Sequence, residues 1–509
     1  MKKILLSLLV LCGTLTSCDM DLSPAGKLDD STAIESANDC FRFRNGIYSS
    51  IRSMGAGGWI TNTEMQMDQF NGLISNGNRM GVLANGNISS SNGDIKDIWA
   101  GLYGRIASVN YFLGKAEAIL ASGTLTEDDR LAVERYIGEA HFARAYYYFY
   151  MMDHFCQAYT AERGSQPALG LPLVTVFNPT GLTGSYPGRS TMDETLKLIN
   201  DDLDVAMKAL ADYEVDHKEN LAPNASYLST WTVKALKARI ALHTADYASA
   251  MSIANDFINN SPFKLAKGDA YADMWVYDES DELIFVPFVD SSESGSIGNT
   301  SNSWISYQDV TSSDYIPSQT TLMAYDEGDI RFDLFFTVWK LTIEGGNYPS
   351  YVFYKYPGNP DLVGSGINYR KNKPKPFRLS EIYLIAAEAA AADGKVADAN
   401  RYLNALRAAR IEGYEDANYN ASAIMDAVRA ERSKELIGEG FRMSDLRRWG
   451  LGFTRDASYE YVNPDLESVL VRAGMSVRYE ANDYRYVWPI PADEMDINPQ
   501  LKGQQNPGY

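Results

Sequence analysis

Twice in this chain an alanine-rich stretch breaks at a small residue and restarts at once, at Ala245-Asp246-Tyr247-Ala248-Ser249-Ala250 and at Gly394-Lys395-Val396-Ala397-Asp398-Ala399. The small residue permits a tight turn, and the later alanine lets the two helices of a pair approach closely. This is the pattern of helix–turn–helix units stacked side by side, tetratricopeptide-like. It is restrictive, because each unit must bury its apolar face on a neighbour. Apolar positions at three- and four-residue spacing run through residues 97–120, 131–155, 192–211, 229–259, 379–409 and 422–437. Thr230 and Ser380 stand where N-caps are expected. A chain of 509 residues, 45% apolar and 22% charged, can close such an array into one body. The predicted fold class is all-α: tetratricopeptide-like (TPR-like) helical repeats in one body, with long irregular loops and a few short β-strands.

Two regions break the helical pattern. Residues 55–95 are rich in Gly, Asn and Ser, with Asn-Gly pairs beginning at 71, 76, 85 and 92. Asn-Gly marks tight turns, so this region is expected to be a long surface loop or several hairpins. Residues 284–375 mix β-like runs, Leu283 to Val289 and Tyr351 to Tyr356, with Ser, Gly and Pro. Their aromatic content argues for order, and a long ordered loop is usually functional.

The first residues form an address. Lys2 and Lys3 precede an apolar run from Ile4 to Leu15, ending in Thr16-Ser17-Cys18. The run is shorter than the roughly 20 residues that span a bilayer, and its flanks are those of a secretory signal. The cysteine resembles that of a bacterial lipobox, which becomes the acylated first residue, and Asp19 and Asp21 resemble the acidic start of surface-exported lipoproteins. The expected division is signal peptide 1–17, lipidated tether 18–39 and one domain over 40–509. A formal net charge of −20 excludes nucleic acid as a partner, since binding it needs a basic face. Cys40 and Cys156 are too few to frame the mature chain with disulfides.

Catalytic signatures are missing. The chain has no His-Glu-x-x-His, no Gly-x-Ser-x-Gly and no phosphate loop. His141, His154, His217 and His243 are scattered, and Asp326, Asp329 and Asp333 lack calcium-loop spacing. A binding protein is expected, not an enzyme, with no cofactor and no metal.

One charged run stands out: Glu431-Arg432-Ser433-Lys434-Glu435, then Gly438-Glu439-Gly440-Phe441-Arg442, then Asp445-Leu446-Arg447-Arg448-Trp449-Gly450. The glycines should end one helix and permit a sharp turn, across which the charges pair as a structural corner. The run closely resembles the signature of SusD/RagB-type nutrient-binding lipoproteins of Bacteroidetes. Further matches keep that family's order: Trp99 with Tyr103 and Asn110, Arg144-Ala145, Gly170-Leu171-Pro172-Leu173, Arg378 to Ala389, Leu403 to Arg407, Pro489-Ile490-Pro491 and Gln505 to Tyr509. The resemblance implies about four tetratricopeptide-like units, outer-leaflet anchoring through Cys18, and pairing with a SusC-like TonB-dependent transporter of the outer membrane.

Those motifs are structural and leave the ligand open. Sugar rings present C–H faces to aromatic planes, and their hydroxyls seek Asp, Asn, Gln or Arg. The 55–95 region offers Trp59, Asp68, Gln69, Asn71 and Arg79, and the later insertion offers Trp304, Tyr307 and Tyr315. Asp68, Asn71, Trp304, Tyr307 and Tyr315 are the expected oligosaccharide surface. Trp99, Trp231, Trp275, Trp449 and Trp488 are assigned to packing. The alternative is a RagB-like protein of the same architecture that captures peptides.

Overall fold

The computed structural model describes residues 33–293, 304–307, 310–362, 371–473 and 475–509; Cys18 lies outside them. Eleven helices build most of the body. They are α1 (Ala37–Ser53), α2 (Gly58–Glu64), α3 (Gly93–Ala121), α4 (Glu127–Phe155), α5 (Met192–Glu214), α6 (Thr230–His243), α7 (Tyr247–Asn260), α8 (Leu379–Ala392), α9 (Val396–Arg407), α10 (Ile424–Glu435) and α11 (Arg442–Trp449). Helix α4 packs between α3 and α5, α6 pairs with α7, α7 lies along α8, and α8 packs on both α9 and α10. The body is all-α, built of TPR-like pairs. Residues 37–39, expected in the tether, already belong to α1.

The two repeated turns close identically. The N–H of Asp246 donates to Ala241 O and that of Ala245 to Leu242 O; Lys395 donates to Ala390 O and Gly394 to Ala391 O. Both are Schellman ends, which place one residue in the left-handed region. Ala245 has φ +57° and Gly394 φ +72°, so the first copy holds a side chain where the second has none. Ala250 and Ala399 are fully buried, as close helix approach requires.

The N-caps differ by one position from expectation. Ser229, not Thr230, caps α6, in a box with Thr232. Helix α8 begins after Arg378 with no side-chain cap, since a guanidinium has no acceptor to offer the first helical N–H groups; Ser380 lies inside the helix.

The strands are short. β1 (Phe70–Gly72) pairs antiparallel with β5 (Tyr315–Pro317), and β2 (Leu283–Phe285) with β8 (Phe377–Arg378). β3 (Trp304–Tyr307), β4 (Val310–Ser313), β6 (Phe336–Ile343) and β7 (Gly346–Phe353) form one four-stranded sheet in that order. β9 (Phe453–Arg455) pairs with β10 (Val477–Tyr479). A main core runs through the helices, and a smaller one, including Leu73, Ile316, Leu341, Val352 and Leu470, lies under the sheet.

The 55–95 region is not a surface loop. It contains α2, β1 and two single-turn helices, Ser75–Asn78 and Gly81–Ala84. Met65, Met67, Phe70, Leu73 and Leu83 are buried, and the buried Arg455 guanidinium donates to the carbonyls of Met65 (2.7 Å) and Met67 (2.8 Å). Composition overstated its exposure because the Asn-Gly pairs mark where short elements end, while the apolar residues between them reach the core.

The charged run folds as a buried corner. Gly438 and Gly440 adopt φ +71° and +84° between α10 and α11. Glu435 accepts from Arg378 (2.8 Å), Arg331 (3.0 Å) and Arg410 (3.0 Å), and all four side chains are essentially inaccessible to water. Burial opposes ionisation of Glu435, but the three guanidiniums outweigh it and hold its pKa well below the carboxylate range. Arg378 and Lys355 both reach Glu439 (2.6 Å each). Trp99, Trp275 and Trp488 are buried, and the Trp449 indole donates to Glu388 (2.7 Å).

Candidate functional site

The 55–95 region and the 284–375 insertion meet edge to edge. In the β1–β5 ladder Asn71 lies opposite Ile316 and Gly72 opposite Tyr315. The N–H of Ser318 donates to Gln69 O and that of Leu73 to Asp314 O, both at 2.8 Å. The joint therefore brings the 74–86 segment against the end of β4.

Three residues in succession turn left-handed there: Asn76 (φ 54°), Gly77 (φ 72°) and Asn78 (φ 56°). Asparagine tolerates this region better than other side chains, which is what the Asn-Gly pair at 76 contributes. The turn presents Arg79, whose guanidinium is paired with the Asp314 carboxylate. The pair is asymmetric: the Arg79 side chain is 52% exposed and that of Asp314 1%. Asp314 also accepts from the Asn76 amide (2.8 Å), and Asn76 in turn accepts from the Ser312 hydroxyl (2.8 Å). A buried carboxylate thus fixes the direction of a half-exposed guanidinium. The remaining Arg79 donors meet solvent in a planar fork, an arrangement suited to vicinal hydroxyls or a carboxylate.

The expected site residues divide. Asp68 lies at an open cleft beside α11 and is held by Arg442 through two hydrogen bonds (2.8 and 2.6 Å). Burial works against its charge, but Arg442 prevails and its pKa lies below the ordinary value. Asn71 is 7% exposed and spends its amide on Asp456 O (3.0 Å) and the Tyr459 hydroxyl (3.2 Å). Tyr315 is 3% exposed, with its ring edge-on to Phe70 at 5.0 Å. Exposure was expected of both; they lie on opposite faces of the β1–β5 ladder, and both faces are packed, that of Tyr315 with Phe70 in the main core and that of Asn71 with Ile316 in the smaller one. Trp304 and Tyr307 are the terminal residues of β3, opposite Ser313 and Val310, which sets the backbone of Trp304 beside Ser312 and Asp314 and that of Tyr307 at the far end of the hairpin; their side chains lie outside the described residues. Trp59 has Arg105 over its ring at 4.4 Å, and Gln69 is buried against Ser433 (2.9 Å). Of the 55–95 polar candidates, Arg79 is the one the fold leaves half in water. Asp314, Asn76 and Ser312 were not singled out by sequence; the Asn-Gly pair at 76 marked the turn but not its partner, more than two hundred residues away.

No helix among the described residues is long and apolar enough to cross a membrane, and among them no cluster of His, Cys, Asp or Glu could hold a metal ion.

Comparison with known proteins gives the same reading from both ends of the chain. A model described as the SusD family matches residues 281–509, and one described as starch-binding, associating with outer membrane, matches residues 28–242. SusD-like protein P25 of Formosa agariphila is 31% identical over 141 residues, 26% of this chain and 24% of that protein, so the match spans about a quarter of the curated relative. A SusD superfamily protein from Bacteroides thetaiotaomicron superposes with a TM-score of 0.74 at 24% identity, covering 93% of this chain and 100% of that one. A SusD-like carbohydrate binding protein from Bacteroides vulgatus superposes at 0.67 and 16% identity, covering 92% and 98%. With the helix-pair body, the buried corner and both halves of the chain matched, the chain belongs to the SusD/RagB family.

Proposed function

We propose that this protein is a glycan-binding lipoprotein of the outer membrane, held by an acylated Cys18, which captures oligosaccharide at the Arg79 ledge and passes it to a SusC-like TonB-dependent transporter. The observation that carries the reading is the Arg79–Asp314 pair, a guanidinium oriented from below and open to solvent above. Sugar recognition needs such fixed planar donors, and β3 brings the backbone of Trp304 beside them. The family description as starch-binding and the carbohydrate-binding relative support the ligand class. A receptor that hands its ligand onward works best with affinity of about millimolar to micromolar, about 4 to 8 kcal/mol. One stacked sugar face and a few directed hydrogen bonds supply that.

Calorimetric titration against a polysaccharide panel tests the ligand. One glycan should bind, and Arg79→Lys, which keeps a cation on the buried Asp314 carboxylate but loses the fork, should weaken it with the melting temperature unchanged. If no glycan binds and peptides do, the RagB-like reading replaces this one. Cys18→Ala should move the protein from membranes to the soluble fraction; retention without an acyl label on the wild type would end the lipoprotein reading.

A further inference from the structure

The loop after α4 has a composition unlike the rest of the surface. Residues 175–185, Thr175 to Ser185, contain no charged side chain in a chain that is 22% charged, and every one but the partly covered Thr180 is exposed. At its tip Val176 is 69% exposed, Leu182 73% and Phe177 38%. Exposed apolar side chains scattered singly need no explanation, but three within seven residues of an uncharged loop do.

The loop is rigid at its root. Val174 O accepts from the Asn110 amide (2.9 Å) and the Tyr148 hydroxyl (3.1 Å), and Thr175 O from Arg144 (3.3 Å). Near the tip, Tyr186 donates to Thr180 O and Ser185 to Leu182 O, both at 2.8 Å. Val176 and Leu182 are therefore presented to solvent, while Phe177 leans on the body with one edge free.

The loop also lies on the side where the chain enters the fold. Ile34 and Lys115 line one shallow groove, Lys115 sits 5.5 Å from the Tyr111 ring centre, and Tyr111 meets Phe177 edge-on at 5.1 Å. Cys18 is fifteen residues before Ala33. At no more than about 3.5 Å per residue, that stretch reaches about 50 Å at most, so an acyl anchor on Cys18 keeps the point where the chain enters the fold within that distance of the bilayer.

We propose that the 175–185 loop is a second, non-covalent contact with the lipid surface, with Val176, Phe177 and Leu182 entering the interfacial layer. The inference rests on the anchoring reading of Cys18. A lipid surface fits better than a charged partner, because the loop has no ionic group to offer and apolar insertion needs none. The contact fixes the orientation of the body, which one covalent anchor point at Cys18 does not set by itself.

The test attaches one environment-sensitive fluorophore to the full-length protein, at L182C or, as a control, at the exposed Tyr461 through Y461C. Cys40 and Cys156 are buried and free, so neither competes for the label. Acylation of Cys18 is read separately by mass spectrometry. With phosphatidylcholine vesicles, emission at position 182 should shift to the blue, the control should not, and the shift should survive high salt. V176D/L182D in unacylated protein should lower vesicle partitioning at least about tenfold while leaving the melting temperature in place. Acylated, vesicle-bound protein with no shift at 182 overturns the loop contact and leaves the anchor standing. Equal shifts at both positions, or a shift only on adding the purified transporter, overturn it too. If Cys18 carries no acyl group, the anchoring reading fails, and the unacylated chain with C18S and the same probe still decides the loop.

Discussion

The ledge at Arg79 and the corner at Glu435 use the same chemistry, a guanidinium against a carboxylate, and differ in which partner meets water. At the corner both partners are inaccessible, and three arginines converge on one carboxylate. At the ledge the carboxylate is sunk and the cation is half in solvent. A pair buried on both sides has no donor left for a ligand, and breaking it strands a charge. A pair buried on one side is oriented at little cost and keeps donors to offer. Exposure of the cation therefore separates a structural pair from a binding one.

The largest effect should come from breaking the corner. Glu435→Ala leaves Arg331, Arg378 and Arg410 facing each other without their shared partner, and should cost about 3–5 kcal/mol. Urea or thermal unfolding reads this directly, and at temperatures where the variant is folded its glycan titration should match wild type. A near-neutral substitution would remove the distinction drawn above.

Glu64 links the corner to the segment that leads into β1. It ends α2, its Oε1 accepts the Gly440 N–H of the corner (2.8 Å), and Oε2 has no partner among the described residues. Burial pushes its pKa up to about 7 from 4.5, with Lys355 and Arg442 opposing and Asp68 assisting. The folded protein then binds more protons than the unfolded chain between those values. Its contribution is full below about pH 4.5 and is lost as pH rises through about 7, on the order of 3 kcal/mol in all. Glu64→Gln should flatten that part of the stability–pH curve, measured by urea melts at pH 5 and pH 8. A curve unchanged by the substitution would show that Glu64 titrates normally.

The ledge should respond in the opposite sense to the corner. Arg79→Lys, which keeps a cation against the sunken Asp314 carboxylate but loses the planar fork, should lower glycan affinity by about 1.5–3 kcal/mol, the range for hydrogen bonds to a charged group, with the melting temperature within a degree of wild type. A fall in stability without a fall in affinity would place Arg79 with the structural pairs.

The smallest effects belong to the repeated turns, which set the scale for a change in backbone alone. Ala245→Gly should gain, and Gly394→Ala should lose, about 1 kcal/mol, since both positions are left-handed. Equal and same-signed changes would mean the turns are not equivalent.

Helix pairs were legible because their signals are local. Ala245 and Gly394 were recognisable as turns from neighbours within five residues, and the resulting hydrogen bonds close over that distance. The charged run from Glu431 was legible as a corner, since its glycines and alternating charges lie in one stretch. Its partners Arg331, Arg378 and Arg410 were not, because nothing local links them. The same limit explains the candidate site. Asp68, Asn71 and Tyr315 have the right chemistry for sugar, but whether a side chain faces water depends on what pairs with its strand.

The sequence alone determined the helical class, the paired turns, the family resemblance and the expected address at Cys18, all carried by residues adjacent in the chain or in a fixed order along it. Only the tertiary structure decided that β1 lies against β5, sinking Asn71 and Tyr315 and leaving Arg79 outside above Asp314. Pairing between segments some 240 residues apart is chosen by the burial of Phe70, Leu73 and Ile316 in two shared cores, and exposure is a property of that packing.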